Sequence, residues 1–371
     1  MTLRFEAHGG PKRGSLLSSS CNTSNCGRIP GRCLIYLIIF FLPLPLALAS
    51  ASKPLTVYFI DVEGGQSTLF VSPSGQSMLV DTGWPDHNGR DAHRILAAAR
   101  EAGIHQIDYL VITHYHEDHV GGVPQLAALI PIRNFIDHGQ PVETRPPAEA
   151  LYQAYLRVRA KGHHILAKPG MQIPVQGMNV IVLTAAGEHI NHSVPGGGER
   201  NSYCPAEAQP SVDRSENAQS VGIVIRYGKF RMIDLGDLPS WMGEYDLVCP
   251  TNRVGRVEVY LTTQHAYAES GGAFLVDALR PMVAIADNGA HKGGAPEAFQ
   301  VIKQSPGLEG FWDLHYSYSV DKKLNAQASF IANLTDNPDH AYWIKLTAFP
   351  NGAFTVTNQR NGESKTYQPR Q

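Results

Sequence analysis

Three histidines and an aspartate fall within six positions of the stretch Thr113-His114-Tyr115-His116-Glu117-Asp118-His119-Val120-Gly121-Gly122. Neutral imidazole nitrogens and carboxylate oxygens are the donors that zinc prefers, and manganese and iron accept the same set. The residues before the cluster, Asp108 to Thr113, predict a buried strand. A strand end projects alternate side chains to one side, so His114 and His116 can share an ion. The turn into a helix behind them re-aims Asp118 and His119 toward a second position. The competing reading is a histidine-rich surface turn.

The elements that must position this cluster read as a layered α/β body. Leu55–Ile60, Ser67–Val71 and Met78–Val80 are expected strands, the first two separated by Gly64-Gly65. An amphipathic helix from Asp91 to Ala102, with Ile95, Leu96 and Ala99 on one face, ends at Gly103. A second helix is expected from Pro147 to Lys161. Further strands are expected at Asn179–Thr184, Val221–Arg226, Phe230–Leu235 and Val257–Thr262. Ala185 to Asn217 reads as a long polar loop in which Gly196-Gly197-Gly198 supplies flexibility. Tyr342–Leu346 and Phe354–Thr357, joined across Pro350-Asn351-Gly352, make a hairpin.

The gapless His114-x-His116-x-Asp118-His119 pattern resembles the HxHxDH signature of the metallo-β-lactamase superfamily. That resemblance implies an αββα sandwich with a metal site, two zinc ions for preference, at one edge of two packed sheets. Asp81 in Asp81-Thr82-Gly83 is similar to the family's early Asp-x-Gly element, which implies a carboxylate steadying the histidines. Its rival is a plain turn aspartate. Asp237, after Gly236, stands where the family bridges two metals, with Asp234 the competing carboxylate. His265 is similar to the late histidine that completes the second metal, against a solvated loop histidine. The family's third histidine for the first metal is missing. Asn217-Ala218-Gln219-Ser220 occupies its segment and looks like the Asn-x-x-Ser element of the competence-channel branch, although His116 stands where that branch commonly has an acid. His189 or His192 in the long loop could substitute. With two ions bound, the resemblance implies a water activated to hydroxide at neutral pH, held by Asp118 and Asp237, with His291 or His315 as candidate proton donors.

The whole chain has 371 residues, 31 Lys+Arg and 33 Asp+Glu. Residues 1–49 carry Arg28 and Arg32 ahead of the apolar run Cys33 to Ala49, which ends in Ala47-Leu48-Ala49 before Ser50. This is the pattern of a signal peptide for export to the periplasm or the exterior, with a retained membrane anchor as its rival. Five basic residues and one acid belong to that segment, leaving 26 against 32 and a net charge of −6. A basic nucleic-acid-binding face is therefore not expected, and small or short ester and phosphodiester substrates fit better than long DNA. No later segment is apolar enough to span a bilayer. Cys204 and Cys249 are the two cysteines after the leader; a disulfide between them and two free thiols are both open.

The reading is thus a leader over 1–49, a metallo-β-lactamase-like domain over 50–324 and a C-terminal β-hairpin extension over 325–371 packed on it. The leading function is an exported metal-dependent hydrolase, phosphodiesterase- or nuclease-like. A β-lactamase and a non-catalytic metal-binding module are the alternatives.

Overall fold

A computed structural model describes residues 53–85, 87–206 and 213–370. The leader and its cleavage signals lie outside the described residues. Two large mixed sheets face one another across an apolar interior, with helices on both outer faces. The first sheet runs, in spatial order, Ser364–Tyr367, Phe354–Asn358, Ile344–Ala348, Leu55–Phe59, Thr68–Val71, Ser77–Val80, Ile107–Val111, Ile132–Asp137 and His163–Leu166. The second runs Ile331–Asn333, Gly310–His315, Val283–Ala286, Val259–Leu261, Phe230–Asp234, Gly222–Tyr227, Asn179–Ala185 and Gln172–Ile173.

Alternation along each strand decides which layer a side chain joins. Val57 and Phe59 enter the inter-sheet core with Phe70, Val80 and Val111, meeting Val182, Ile225, Met232, Ile285 and Trp312 from the opposite sheet. Their neighbours Tyr58 and Ile60 point outward, onto Ile95, Ala99 and Leu126 of the helices Arg90–Glu101 and Val123–Leu129. Over the second sheet, Phe274, Leu275 and Phe299 of Ala273–Leu279 and Pro296–Gln304 cover Val224, Ile233 and Ala284. The result is the expected αββα sandwich. The helix of the first layer begins and ends within a residue of its expected bounds, because its apolar stripe and Gly103 are local signals.

The C-terminal hairpin gains a third strand, Ser364–Tyr367, and joins the first sheet through antiparallel pairing of Ile344–Ala348 with Leu55–Phe59. The same segment reaches the edge strand of the second sheet. Asn358 Nδ2 donates to the carbonyls of Ser329 and Ile331, and Arg360 donates to those of Ala328 and Ile331.

The long loop departs from its expected character. Gly197 and Gly198 donate backbone hydrogen bonds to Val194 and Asn252, and Glu199–Arg200 pairs with Thr251–Asn252. The glycines instead permit close packing: Gly196 has φ +96° and lies against the Arg231 guanidinium. Cys204 and Cys249 are joined in a disulfide with Cα atoms 5.8 Å apart, which pins this loop to the end of the helix Tyr245–Val248.

One buried carboxyl gives a stability prediction. Asp313 is fully buried, and among the described residues its carboxyl accepts one hydrogen bond, from the Ala326 amide. Burial pushes its pKa up to about 7. Between about pH 4 and 7 the folded chain keeps a proton that the unfolded chain has lost, so this group's contribution to stability falls as pH rises through that window. Asp313→Asn is expected to flatten that decline and to stabilise the fold at pH 8 by about 2 kcal/mol. Thermal unfolding of both proteins from pH 4 to 9 checks it; parallel curves would refute it.

Candidate metal centre

The site sits where parallel strands end together. Ser77–Val80, Ile107–Val111 and Ile132–Asp137 are mutually parallel, as are Phe230–Asp234, Val259–Leu261 and Val283–Ala286. Their C-terminal ends deliver Asp81, His114 to His119, Asp237, His265 and Asp287 to one edge of the sandwich. The backbone is strained there: Asp81 has φ 58° and His265 has φ 52°, conformations uncommon for residues other than glycine. The turn at Asp81 lets one carboxylate take the Thr113 amide at 2.8 Å, the Thr113 hydroxyl at 2.6 Å and the His119 ring at 2.7 Å. Gly65 is needed for close approach, since a Cβ there would overlap the Asp118 carbonyl oxygen.

One donor group is Asp118, His119, Asp237 and His265, all buried. His119 Nε2 lies 3.3 Å from both Asp118 Oδ2 and Asp237 Oδ1. His265 Nε2 lies 3.2 Å from Asp118 Oδ2, 3.3 Å from Asp237 Oδ1 and 3.2 Å from His119 Nε2. Donors about 2.0–2.1 Å from a tetrahedral ion are separated by about 3.3 Å, so these spacings fit one ion. Protonation argues the same way. His119 donates from Nδ1 to Asp81, and His265 donates from Nδ1 to Asp287 Oδ2 at 3.2 Å. Both Nε2 atoms then face each other and two carboxylate oxygens, an arrangement that a shared cation, whether a proton or a metal ion, stabilises. Asp237 Oδ1 is buried without a hydrogen-bond partner.

The second group is built on His114 and His116. His114 Nε2 lies 3.0 Å from His116 Nδ1 and 3.9 Å from Asp237 Oδ2, so Asp237 offers one oxygen to each group. Thr113 Oγ1 donates to Asp81 and accepts from His114 Nδ1 at 3.1 Å, which leaves His114 Nε2 unprotonated. Glu143 Oε1 faces His116 Nε2 at 3.5 Å and directs the other ring nitrogen inward. The residues present fit a divalent metal: Asp118, His119, Asp237 and His265 would be the fuller donor set, and Asp237 turns its second oxygen toward His114.

The local electrostatics divide the two groups. Burial would lower the His119 pKa, but Asp237, Asp118 and Asp81 hold it well above the ordinary value. Burial, reinforced by the neighbouring imidazoles of His119 and His116, drives His114 well below it. Burial would raise Asp237, yet His265 and His119 keep its carboxyl below the usual range. The competing Asp234 is fully engaged elsewhere, accepting from Gln66 Nε2 at 2.9 Å and from the Gly236 amide, with burial raising its pKa to about 7.

Among the described contacts, none of the other expected residues hydrogen-bonds to these donors. His189 faces Asp246 at 3.9 Å and His192 pairs with Asn191. Asn217 starts a 3-10 turn and keeps a buried Oδ1 with no partner. His315 donates to Asp61 Oδ1 at 2.7 Å inside a network with Arg94 and Glu63, and His291 pairs with Asp336 at 2.9 Å. Neither candidate proton donor is directed at the metal donors by these contacts.

Several supporting residues escaped the sequence reading. Asp287, at a strand end, could have been found by the same reasoning that found Asp237. Glu143 and Glu216 lie in loops with no spacing signal. Glu216 accepts from His138 Nε2 at 2.8 Å and from the amides of Tyr115 and Val142, tying the histidine loop to the segment that carries Glu143. Carboxylates behind ligating histidines tune metal affinity by roughly 10–100-fold. Glu143→Gln and Asp287→Asn are each expected to weaken binding of one ion by about that factor, measured by competition with a chromogenic chelator. Unchanged affinity in both would show that these carboxylates do not orient the rings.

Residues 60–199 match the family described as the metallo-beta-lactamase superfamily. A curated relative, hydroxyacylglutathione hydrolase of Stenotrophomonas maltophilia (strain R551-3), is 36% identical over 105 residues, which is 28% of this chain and 37% of that protein. The chain therefore spans well under half the length of that relative. Among solved structures, the metallo-beta-lactamase fold protein YhfI from Bacillus subtilis is 12% identical with a TM-score of 0.41, covering 70% of this chain and 96% of that one. Tm1679, a metal-dependent hydrolase of the beta-lactamase superfamily, is 16% identical with a TM-score of 0.42, covering 70% and 95%. The stretch that matches the metallo-beta-lactamase superfamily, residues 60–199, holds the His114-x-His116-x-Asp118-His119 cluster and the Asp81 that supports it.

Proposed function

We propose that this protein is an exported hydrolase of small ester-, thioester- or phosphodiester-type substrates that works with two divalent ions, zinc foremost. The observation that carries the reading is the shared carboxylate: Asp237 turns one oxygen to His119 and His265 and the other to His114. Ions bound there would supply Lewis-acid activation of water and of the scissile carbonyl or phosphoryl group. Asp118 and Asp237 orient the attacking water, while Asp81, Asp287 and Glu143 keep the imidazoles in the tautomers that face it.

The likeness to hydroxyacylglutathione hydrolase over part of its length favours a small thioester or ester. The Asn217 element keeps the phosphodiesterase reading and the competence-channel branch in play. A β-lactamase is disfavoured by the absence of a third histidine beside His114 and His116 in the described site. Export is supported by the Cys204–Cys249 disulfide, a bond that persists in oxidising compartments, together with the leader pattern.

The test is elemental analysis of the purified protein with turnover of bis-p-nitrophenyl phosphate, a hydroxyacylglutathione thioester and a chromogenic cephalosporin on the same sample. About two ions per chain with cleavage of the first or second is the expected result. Cephalosporin cleavage alone would install the β-lactamase. One ion or none, and no turnover after reconstitution, would leave a metal-binding module.

A further inference from the structure

Beside the metal donors stands a cation that the proposed hydrolysis does not yet use. Lys292 lies in the loop Asn288–Gly294, which is clamped by the Gly289 amide on the Lys292 carbonyl at 2.8 Å and by the Gly294 amide on the His265 carbonyl at 2.9 Å. The lysine stem is fixed by close packing: a Cβ on Gly64 would come within 2.9 Å of Lys292 Cβ. Its ammonium donates to the Gly64 carbonyl at 2.6 Å, contacts Asp118 Oδ2, and sits 5.1 Å from the centre of the Trp84 ring.

The placement leaves binding capacity unspent. An ammonium has three N–H donors, and two acceptors are engaged. The Lys292 side chain is 27% exposed, whereas every donor in the Asp118 group is buried, so a molecule arriving from solvent can reach the lysine beside those donors. Asp118 Oδ2 is shared with His119 Nε2 and His265 Nε2, and therefore only partly offsets the lysine charge.

We infer that Lys292 is the substrate-binding residue for a carboxylate or phosphoryl oxygen carried close to the bond that is cleaved, with the Trp84 ring as the adjoining apolar wall. This rests on the hydrolase reading above and narrows its substrates to anions. A charge-assisted hydrogen bond of this kind, held beside a buried site, discriminates an anion from its neutral isostere.

The experiment uses two esters of equal length and leaving group, mono-4-nitrophenyl succinate and 4-nitrophenyl butyrate, on the metal-loaded protein. The native enzyme is expected to prefer the succinate ester. In Lys292→Ala the ratio of kcat/KM for the two esters is expected to fall about 30-fold, chiefly through KM for the anionic ester. Lys292→Arg should restore most of the preference, and metal content should stay at the native level. An unchanged ratio overturns the assignment, as does an equal loss on both esters, which would mark a role confined to Asp118.

A calorimetric titration with monomethyl succinate and, separately, methyl phosphate separates this inference from the hydrolase reading. Binding of either by the native protein and its loss in Lys292→Ala supports the anion site even if neither ester is cleaved, in which case the hydrolase reading alone fails. The probe that binds tells carboxylate from phosphoryl. Binding of neither, or equal binding in the variant, refutes the site.

Discussion

Asp118→Asn is expected to reduce turnover by about a thousandfold or more while the fold survives. The carboxylate sits on a short helix of four residues, Glu117–Val120, and its oxygen faces His119, His265 and Lys292 rather than any core side chain. Its backbone carbonyl, not its side chain, holds the Gln66 amide at 3.1 Å. The substitution should therefore spare secondary structure and melting behaviour while removing one anionic donor from the ion beside His119. Elemental analysis should show loss of about one ion per chain alongside the lost activity. Circular dichroism guards the interpretation. Full activity in a folded Asp118→Asn protein would overturn the catalytic assignment of the whole cluster.

The largest expected effect on stability belongs to Trp312→Ala, at about 4 kcal/mol. Trp312 is completely buried in the inter-sheet core. Its indole stacks on Phe330 with ring centres 4.0 Å apart and donates to the Tyr367 hydroxyl at 3.0 Å. One side chain thus joins the strand Gly310–His315 of one sheet to the strand Ser364–Tyr367 of the other. Truncation leaves a cavity and deprives the phenol of its donor. Urea unfolding should show the midpoint shift with little change in slope; a loss under about 1 kcal/mol would mean that the sheets repack without it.

Much of the centre was legible because its chemistry is local. His114, His116, Asp118 and His119 lie in one strand-to-helix turn, and Asp81, Asp237 and His265 each follow an apolar run that ends abruptly. The resemblance favoured Asp237 over Asp234, but the physical reason shows only in three dimensions, where Gln66, far away in sequence, claims Asp234. Lys292 and Glu143 gave no signal for the same reason, since their roles depend on which loop folds over which strand end. The hairpin near the C-terminus was readable from alternation and Asn351-Gly352. Its pairing with Leu55–Phe59, nearly the full described chain away, was not. The glycines at 196–198 illustrate the opposite error: composition suggested looseness, whereas each meets a specific close contact or hydrogen bond.

The side chains that reach the edge strand of the second sheet also decide what this protein does in company. A strand with bare carbonyls is a template on which another chain can lay itself down, and stacking of that kind is how fibrils grow. Asn358 and Arg360 occupy the Ile331 carbonyl on the short strand Ile331–Asn333 from within the same molecule. At the start of that border strand the chain's own side chains already hold the carbonyl, and an intruding strand would have to displace them to pair with it.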